Sequence, residues 1–285
     1  MLIRTGMLGA GAFVLGVRPE QAAAAPLDDA LIEQVIELLV RDTFAGLAVF
    51  AVPGPVTDRY SLAQGQTNPR PGAVQAKAPE LIEHTLDRYV NLPDTYLQAL
   101  VAAFRDGAPD TAGGLAALEL LGKTFDDILQ VVLQNDAALP ASLPAALLLN
   151  FAATQVRPTS VVGLIPTSPF ANLRWAEKGQ ALQRIERADP DLIALIDRNA
   201  PQPLTESASG LLRFLGNVLL TLSGFSPYTE FHVFDPATRR ATRRPIGWDL
   251  SNYLPGRTTP AEGFAEFLGY YQDRRETHTA SEYQA

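Results

Sequence analysis

Apolar residues recur at helical spacing over most of this chain. After Asp28, and again after Pro79 and Pro93, they lie three and four positions apart, which places them on one face of an α-helix. The aspartates and prolines at these points are typical of helix starts. Helices are therefore predicted over residues 28–39, 79–90, 93–107, 115–121, 124–133, 172–187, 191–198 and 207–222.

Two stretches interrupt this helical pattern. Residues 60–72 are polar and rich in Gly, Pro and Gln, so they predict a long loop. Residues 137–169 are apolar but contain five prolines, which predicts short helices joined by fixed turns. Gly224 is expected to end the helix over 207–222.

Near the C-terminus the pattern becomes that of strands. Residues 229–235 alternate, 236–238 favour a turn, and 240–246 suit a returning strand. In such a strand His232 points away from Phe231 and Val233. We therefore expect a mainly α fold, an irregular helical bundle with a small C-terminal β-hairpin. One domain is expected over 26–276, with a flexible tail over 277–285.

The first 25 residues have the pattern of a cleavable export leader. Arg4 precedes an uncharged stretch over 5–17, and Ala23 and Ala25 offer a small-x-small cleavage site. An apolar run of about 13 residues is shorter than the roughly 20 that span a bilayer. We therefore expect a periplasmic or extracellular protein.

The export route is less well defined by these residues. Residues 3–12 are similar to the stretch that follows the paired arginines of a twin-arginine leader, and Arg18 suits that route. Met1 and Leu2 stand near where the arginine pair is expected. Either the true start lies upstream of Met1, or the leader is an ordinary secretory one with a weak basic end.

Composition excludes several classes of function. The formal charge is −8, which argues against nucleic acid as a partner. There is no cysteine, so disulfides, thiolate catalysis, Cys-ligated iron–sulfur clusters and c-type haem are excluded within this chain. After the leader, no apolar run suggests a membrane span.

Sequence motifs for catalysis are missing. No phosphate-binding glycine loop follows a predicted strand, and no H-E-x-x-H or G-x-S-x-G sequence occurs. The three histidines are far apart in sequence, so no metal site is predicted. His232 is the best histidine candidate, and a site assembled from His232, Asp235 and Arg244 is the alternative to a non-catalytic role.

A group of arginines and aromatic residues near the C-terminus suits partner binding. Arginine and aromatic side chains are common anchors of protein interfaces. The alternative is a solvated basic turn with a separately buried tryptophan. The candidate partner-binding residues are Arg239, Arg240, Arg243, Arg244, Trp248, Tyr253, Tyr270 and Tyr271.

The same region carries a family resemblance. Its elements are L-x-x-L-S-G-F-S over 219–226, R-P-I-G-W over 244–248, Y-L-P-G over 253–256, and Gly263, with P-G-A over 71–73 further upstream. Together with the leader, these segments resemble the gluconate 2-dehydrogenase subunit 3 family. The resemblance implies a small, non-catalytic, mainly helical subunit. It implies as partner a flavoprotein dehydrogenase large subunit of the glucose–methanol–choline type, with FAD in that partner and no cofactor in this chain.

Two other functions stay open at this point. One is a stand-alone exported enzyme, an oxidoreductase or hydrolase, with its site around His232. The other is a helical protein that binds an apolar ligand in the core lined by residues 211–222.

Overall fold

A computed structural model describes residues 29–90, 92–107, 140–161, 168–202 and 204–251. The leader, the helices predicted over 115–121 and 124–133, and the tail lie outside these residues. The helices are α1 (Asp29–Ala51), α2 (Arg59–Gln64), α3 (Ala78–Tyr89), α4 (Asp94–Gly107), α5 (Ser142–Val156), α6 (Trp175–Glu186), α7 (Pro190–Asn199), α8 (Ala208–Phe225) and α9 (Ile246–Leu250). Single 3₁₀ turns cover Pro158–Val161 and Ser226–Tyr228, and the strands are β1 (Phe234–Asp235) and β2 (Arg240–Ala241).

Helix α5 occupies the centre of the described fold. It is apolar on all sides, from Leu143 to Ala153, and such a helix is stable only when other elements surround it. Helices α1, α3, α4 and α6 all pack against it. Helix α8 packs on α1 and α6, and α7 packs on α4 and α8, so one continuous core reaches from Leu39 to Leu219. The predicted mainly α class is confirmed.

The polar residues inside this core are paired with one another. Asn150 of α5 donates to the Thr43 hydroxyl of α1 at 2.9 Å, and its carbonyl oxygen accepts from Ser168 at 2.6 Å and from the Phe170 amide at 3.1 Å. A buried amide without such partners would destabilise the fold. The network therefore ties α1, α5 and the segment before α6 in one register.

The stretch 60–72 is not wholly a loop as predicted, since it begins with most of α2. Asp58 caps this helix by accepting from the Tyr60 amide at 3.1 Å, and Gly65 ends it with a left-handed φ of 80°. After α2 the chain returns to the end of α1, where a Cβ on Gly72 would lie 2.5 Å from the Cα of Gly54. Gly54 and Gly72 therefore allow two backbone segments to come into contact.

The proline-rich stretch 137–169 also differs from expectation. Residues 142–156 form one continuous helix, because Pro144 lies in its first turn, where no intrahelical donor is needed. Pro158 begins the 3₁₀ turn that follows. The prolines mark the ends of a long helix and do not divide it.

Helix α8 runs one residue past Gly224, which therefore does not end it. With the 3₁₀ turn it forms a 21-residue helical stretch, Ala208–Tyr228, which is long and apolar enough to cross a membrane by length and composition alone. The core helix of a soluble protein meets the same criteria, so this property alone does not indicate a span. Leu211, Leu212, Leu215 and Leu219 are all buried in the core.

The C-terminal hairpin is confirmed but is shorter than predicted. Phe234 pairs with Ala241, and Asp235 pairs with Arg240. Residues 231–233 form a turn in which the amides of Val233 and Phe234 both donate to the Glu230 carbonyl. The alternation expected around His232 is therefore wrong, and Val233 is buried where Phe231 is exposed.

Candidate functional site

The C-terminal region is held against the helices by a glycine. Helix α9 packs on the 3₁₀ turn Ser226–Tyr228. A Cβ on Gly247 would lie 2.6 Å from the Cα of Tyr228 and 2.7 Å from its carbonyl carbon. Only glycine allows this contact, because real Cβ atoms do not approach a backbone so closely. Gly247 thus fixes the position of α9 and, with it, the position of Trp248.

Trp248 is partly exposed and has polar partners. Its indole N–H donates to Glu230 at 3.1 Å, and the Arg244 guanidinium lies 5.6 Å from the ring centre. The Nε of Arg244 also donates to Asp249 at 2.8 Å. Arginine and tryptophan are therefore stacked at the surface, an arrangement of weak cation–π character. Trp248 is therefore not buried separately from the arginines, which was the alternative considered from the sequence.

The other three arginines are exposed on the hairpin. Arg239 ends the turn between the strands with a left-handed φ of 55°, Arg240 lies in β2, and Arg243 follows β2. The remaining predicted partner-binding residues, Tyr253, Tyr270 and Tyr271, lie outside the described residues.

A series of exposed aromatic residues precedes and enters the hairpin. Phe225, Tyr228, Phe231 and Phe234 are 39–62% exposed. Water-exposed aromatic groups retain the free energy that burial would release, so a cluster of them marks an interaction surface. The sequence analysis missed this series, although its regular spacing of three residues could have revealed it. We call residues 225–248 the arginine–aromatic segment.

The aromatic series continues onto helix α3. The rings of Phe231 and His84 are 5.5 Å apart, and the rings of His84 and Tyr89 are 6.0 Å apart in an edge-to-face arrangement. Tyr89 is 71% exposed. The arginine–aromatic segment and the outer side of α3 therefore share one aromatic surface.

The alternative catalytic group of His232, Asp235 and Arg244 has a different arrangement. Asp235 accepts from the Thr238 hydroxyl at 2.7 Å and the Ala237 amide at 2.9 Å, and these bonds lower its carboxyl pKa. That geometry stabilises the hairpin turn. Arg244 is bound to Asp249. Asp235 and Arg244 thus each have a local structural role.

His232 differs from these two residues. Both of its ring nitrogens are buried and have no hydrogen-bond partner within the described part of the chain. Burial lowers its pKa, as does Arg243 and, more weakly, Lys77, whereas Glu80 acts in the opposite direction. The ring is thus a neutral group between charged neighbours from α3 and from the hairpin.

A buried lysine that the sequence analysis missed lies elsewhere, in α6. Lys178 is fully buried, and its ammonium donates to the Gly46 carbonyl at 2.9 Å and to the Gln64 side chain at 3.0 Å. Burial lowers its pKa to about 7, while the charge of Asp58 opposes this shift. The close contact of Gly46 with Ala171, 2.7 Å from an added Cβ, brings α1 near enough for the bond.

The partners of Lys178 belong to a polar layer between α1 and α2. Gln64 donates to the Val49 carbonyl at 2.8 Å, and Ser61 links Asp58 to the Gly54 amide, both at 2.8 Å. Gln64 and Ser61 thus bond to the end of α1 and the residues after it, while Asp58 holds Ser61 in place. The layer therefore fixes α2 on the core, and Lys178 is too deeply buried to reach a substrate.

A second titratable cluster joins the same helices. Asp42 of α1 is buried and accepts from the Tyr60 hydroxyl and from Arg59, the latter at 2.7 Å. Burial, followed by the charge of Asp42, raises the pKa of Tyr60 far above its usual value. The phenol therefore stays protonated and serves as a hydrogen-bond donor.

Among the described residues, no group of three or more His, Cys, Asp or Glu side chains is placed to hold a metal ion. The most distinctive surface of the described fold is thus the arginine–aromatic segment together with α3. Comparison of the chain with protein-family models, curated proteins and solved structures finds no match.

Proposed function

We propose that this chain is an exported accessory subunit that binds a flavin-dependent dehydrogenase of the glucose–methanol–choline type and has no catalytic site of its own. The observation that supports it is the exposed arginine–aromatic segment. FAD would belong to the partner.

The composition of this surface is that of an interface core. Four aromatic side chains at a spacing of three residues are each 39–62% exposed, and burying what remains exposed is worth part of the about 1.5–3 kcal/mol of a fully buried large apolar side chain. Exposed arginines surround them, and arginine with aromatic residues is the usual make-up of binding hot spots. The anchors are held in place by the hairpin and by α9, so a partner would not have to order them.

The charge of the surface favours an acidic partner. Four arginines lie within the six residues 239–244, whereas the chain as a whole has a net charge of −8. This part of the surface therefore attracts negatively charged groups, and the acidic remainder of the protein repels them. Such an asymmetry orients a partner during encounter. The charge asymmetry therefore favours a specific protein–protein contact over non-specific association.

The kind of partner rests on the sequence. The leader-like residues 1–25 suit an exported complex, and the segments 219–226 and 244–248 resemble those of small dehydrogenase subunits. The glycine of the second segment, Gly247, is required by the fold, because no larger residue fits against Tyr228. A subunit with its own leader could carry a folded flavoprotein across the membrane.

Co-purification from the native host tests the proposal. We expect a tagged chain to retain a larger polypeptide with flavin absorbance. Phe234→Ala together with Arg243→Gln should reduce the retained flavoprotein by at least about tenfold, since hot-spot truncations cost about 2 kcal/mol each.

The matched control uses an exposed apolar residue outside the arginine–aromatic segment. Leu62, in α2, is 60% exposed, and Leu62→Ala should leave the flavoprotein yield unchanged. Recovery of the wild-type chain alone, as a monomer without flavin, would contradict the proposal.

A further inference from the structure

The attachment of the hairpin to helix α3 depends on an unusual histidine. His232 is flanked by Phe231, which lies against His84, and by Val233, which is 2% exposed. Val233 is also bound at its carbonyl by the amide and the hydroxyl of Thr242, at 2.8 and 3.0 Å. The histidine therefore lies at the point where the hairpin meets the helices.

The environment of His232 suits only the neutral ring. Both nitrogens are buried and lack hydrogen-bond partners among the described residues. A neutral imidazole has one N–H to satisfy, whereas the protonated ring has two and carries a charge. Burying an unpaired charge is far less favourable than burying an unpaired dipole.

The charged neighbours add to this preference. Arg243 of the hairpin, together with Lys77 and Glu80 at the start of α3, is near enough for its charge to act on the ring. Glu80, the single acidic neighbour in this set, is already bound to Lys77 at 2.9 Å. A proton on His232 would therefore meet two cations and one carboxylate that has a partner.

We propose that protonation of His232 releases residues 229–244 from helix α3, so that the hairpin acts as an acid-sensitive latch. Release would move the arginines of the hairpin away from the aromatic surface of α3. It would also expose Val233 and uncover His84. This proposal does not require the dehydrogenase partner, because the latch is a property of the chain alone.

The direction of the pH dependence follows from the lowered pKa of His232 in the fold. The free hairpin has the ordinary histidine value of 6.5, so it binds a proton more readily than the attached hairpin does. Attachment is therefore strongest above pH 6.5 and weakens as the pH falls through the lowered value. Glu80 limits the effect, and Lys77 and Arg243 increase it.

Hydrogen exchange followed by mass spectrometry tests the latch. Protection factors, corrected for the intrinsic pH dependence of exchange, are compared at pH 7.5 and pH 5.0. We expect peptides within 229–244 to lose protection several-fold at pH 5.0, while the central helix over 142–156 keeps it. Equal protection of residues 229–244 at both pH values would overturn the proposal.

Two variants separate the histidine from general acid effects. His232→Phe cannot take up a proton, and we expect its hairpin to keep the same protection at both pH values. Lys77→Gln leaves the histidine in place but removes one cation and frees Glu80, so its loss of protection at pH 5.0 should be smaller than in the wild type. A Lys77→Gln chain that responds as strongly as the wild type would contradict the electrostatic basis of the latch.

Discussion

At the scale of single residues, Lys178 is the clearest departure from what a sequence pattern suggests. A lysine is expected at the surface, yet this one lies on the inward stripe of α6 with Ala181, Leu182 and Ile185. Two carbonyl acceptors and the charge of Asp58 compensate only part of the cost of burial, which is why its pKa is lowered to about 7. Stability should therefore depend on this one amine over an unusual pH range.

We predict that the free energy of unfolding rises between pH 7 and pH 9.5. The unfolded lysine, with its ordinary pKa of 10.5, holds a proton throughout this range, whereas the buried amine loses it, so the unfolded state binds more protons. The contribution is about 1.4 kcal/mol per pH unit at most. Urea unfolding at several pH values measures it. Lys178→Met should abolish the rise, and Lys77→Met, at an exposed lysine, should leave it unchanged.

The residue pattern alone could have located Lys178. It stands three, four and seven positions before buried residues of α6, the spacing that defines an inward face. The helix predicted over 172–187 did not identify Lys178 as an inward residue, although its side chain is fully buried. The error arose because the predicted helix began at 172, whereas α6 begins at Trp175, so Leu173 is not part of its periodic face.

At the scale of elements, helices with one clear apolar stripe were predictable, whereas α1, predicted over 28–39, extends to Ala51, and α2 was not predicted. The bounds of α3, α4, α7 and α8 differ from the predicted ranges by three residues or fewer, because each buries one apolar stripe. Helix α2 has no such stripe, and it depends on Asp58, Ser61 and Gln64. Contacts with distant segments such as Val49 cannot be inferred from local spacing.

The hairpin shows the same limit. Its turn could be predicted, since Asp235 and the residues after it have ordinary turn chemistry. Its strands are short because the amides of Val233 and Phe234 bond to Glu230 and not across to a second strand. Among the candidate site residues, the arginines were found from composition, and the aromatic series was found only from its exposure.

The docking of α9 gives a prediction at this scale. Gly247→Ala would place a Cβ 2.6 Å from the Tyr228 backbone, and such overpacking costs about 1–3 kcal/mol. We expect Gly247→Ala to lower the urea midpoint of unfolding. Under the proposed function, it should also lower the affinity for the flavoprotein. Gly210→Ala in α8 is the matched control. Among the described residues, no atom beyond the local helix backbone lies within 4 Å of the added methyl group, so it should stabilise the helix by about 0.5–1 kcal/mol.

At the scale of the whole molecule, the continuous core implies one cooperative unit. All helices from α1 to α8 except α2 contribute to a single cluster, and the central helix α5 packs against helices from before and after it in the chain. Within the arginine–aromatic segment, residues 229–248 are attached chiefly through Phe231, which lies against His84, through buried Val233, and through Gly247, which packs on Tyr228. We therefore expect the pH to determine whether these residues unfold together with the core or before it.

The two tryptophans report on these two parts separately. Trp175, at the start of α6, stacks on Phe50 at 5.5 Å and donates to the Phe50 carbonyl, whereas Trp248 lies in α9. The chain contains no other tryptophan, so Trp175→Phe and Trp248→Phe each leave one probe. At pH 7.5 we expect both probes to give the same urea midpoint, because neutral His232 leaves residues 229–244 attached and Gly247 holds α9 on Tyr228.

At pH 5.0 the two probes should separate. The Trp248 signal should change at a lower urea concentration than the Trp175 signal, because protonation of His232 releases residues 229–244, which include Glu230 and Arg244, two partners of the Trp248 ring. In a His232→Phe background the two midpoints should coincide again. Separate midpoints already at pH 7.5 would mean that the segment is an independent unit, and coincident midpoints at pH 5.0 would mean that His232 does not control its attachment.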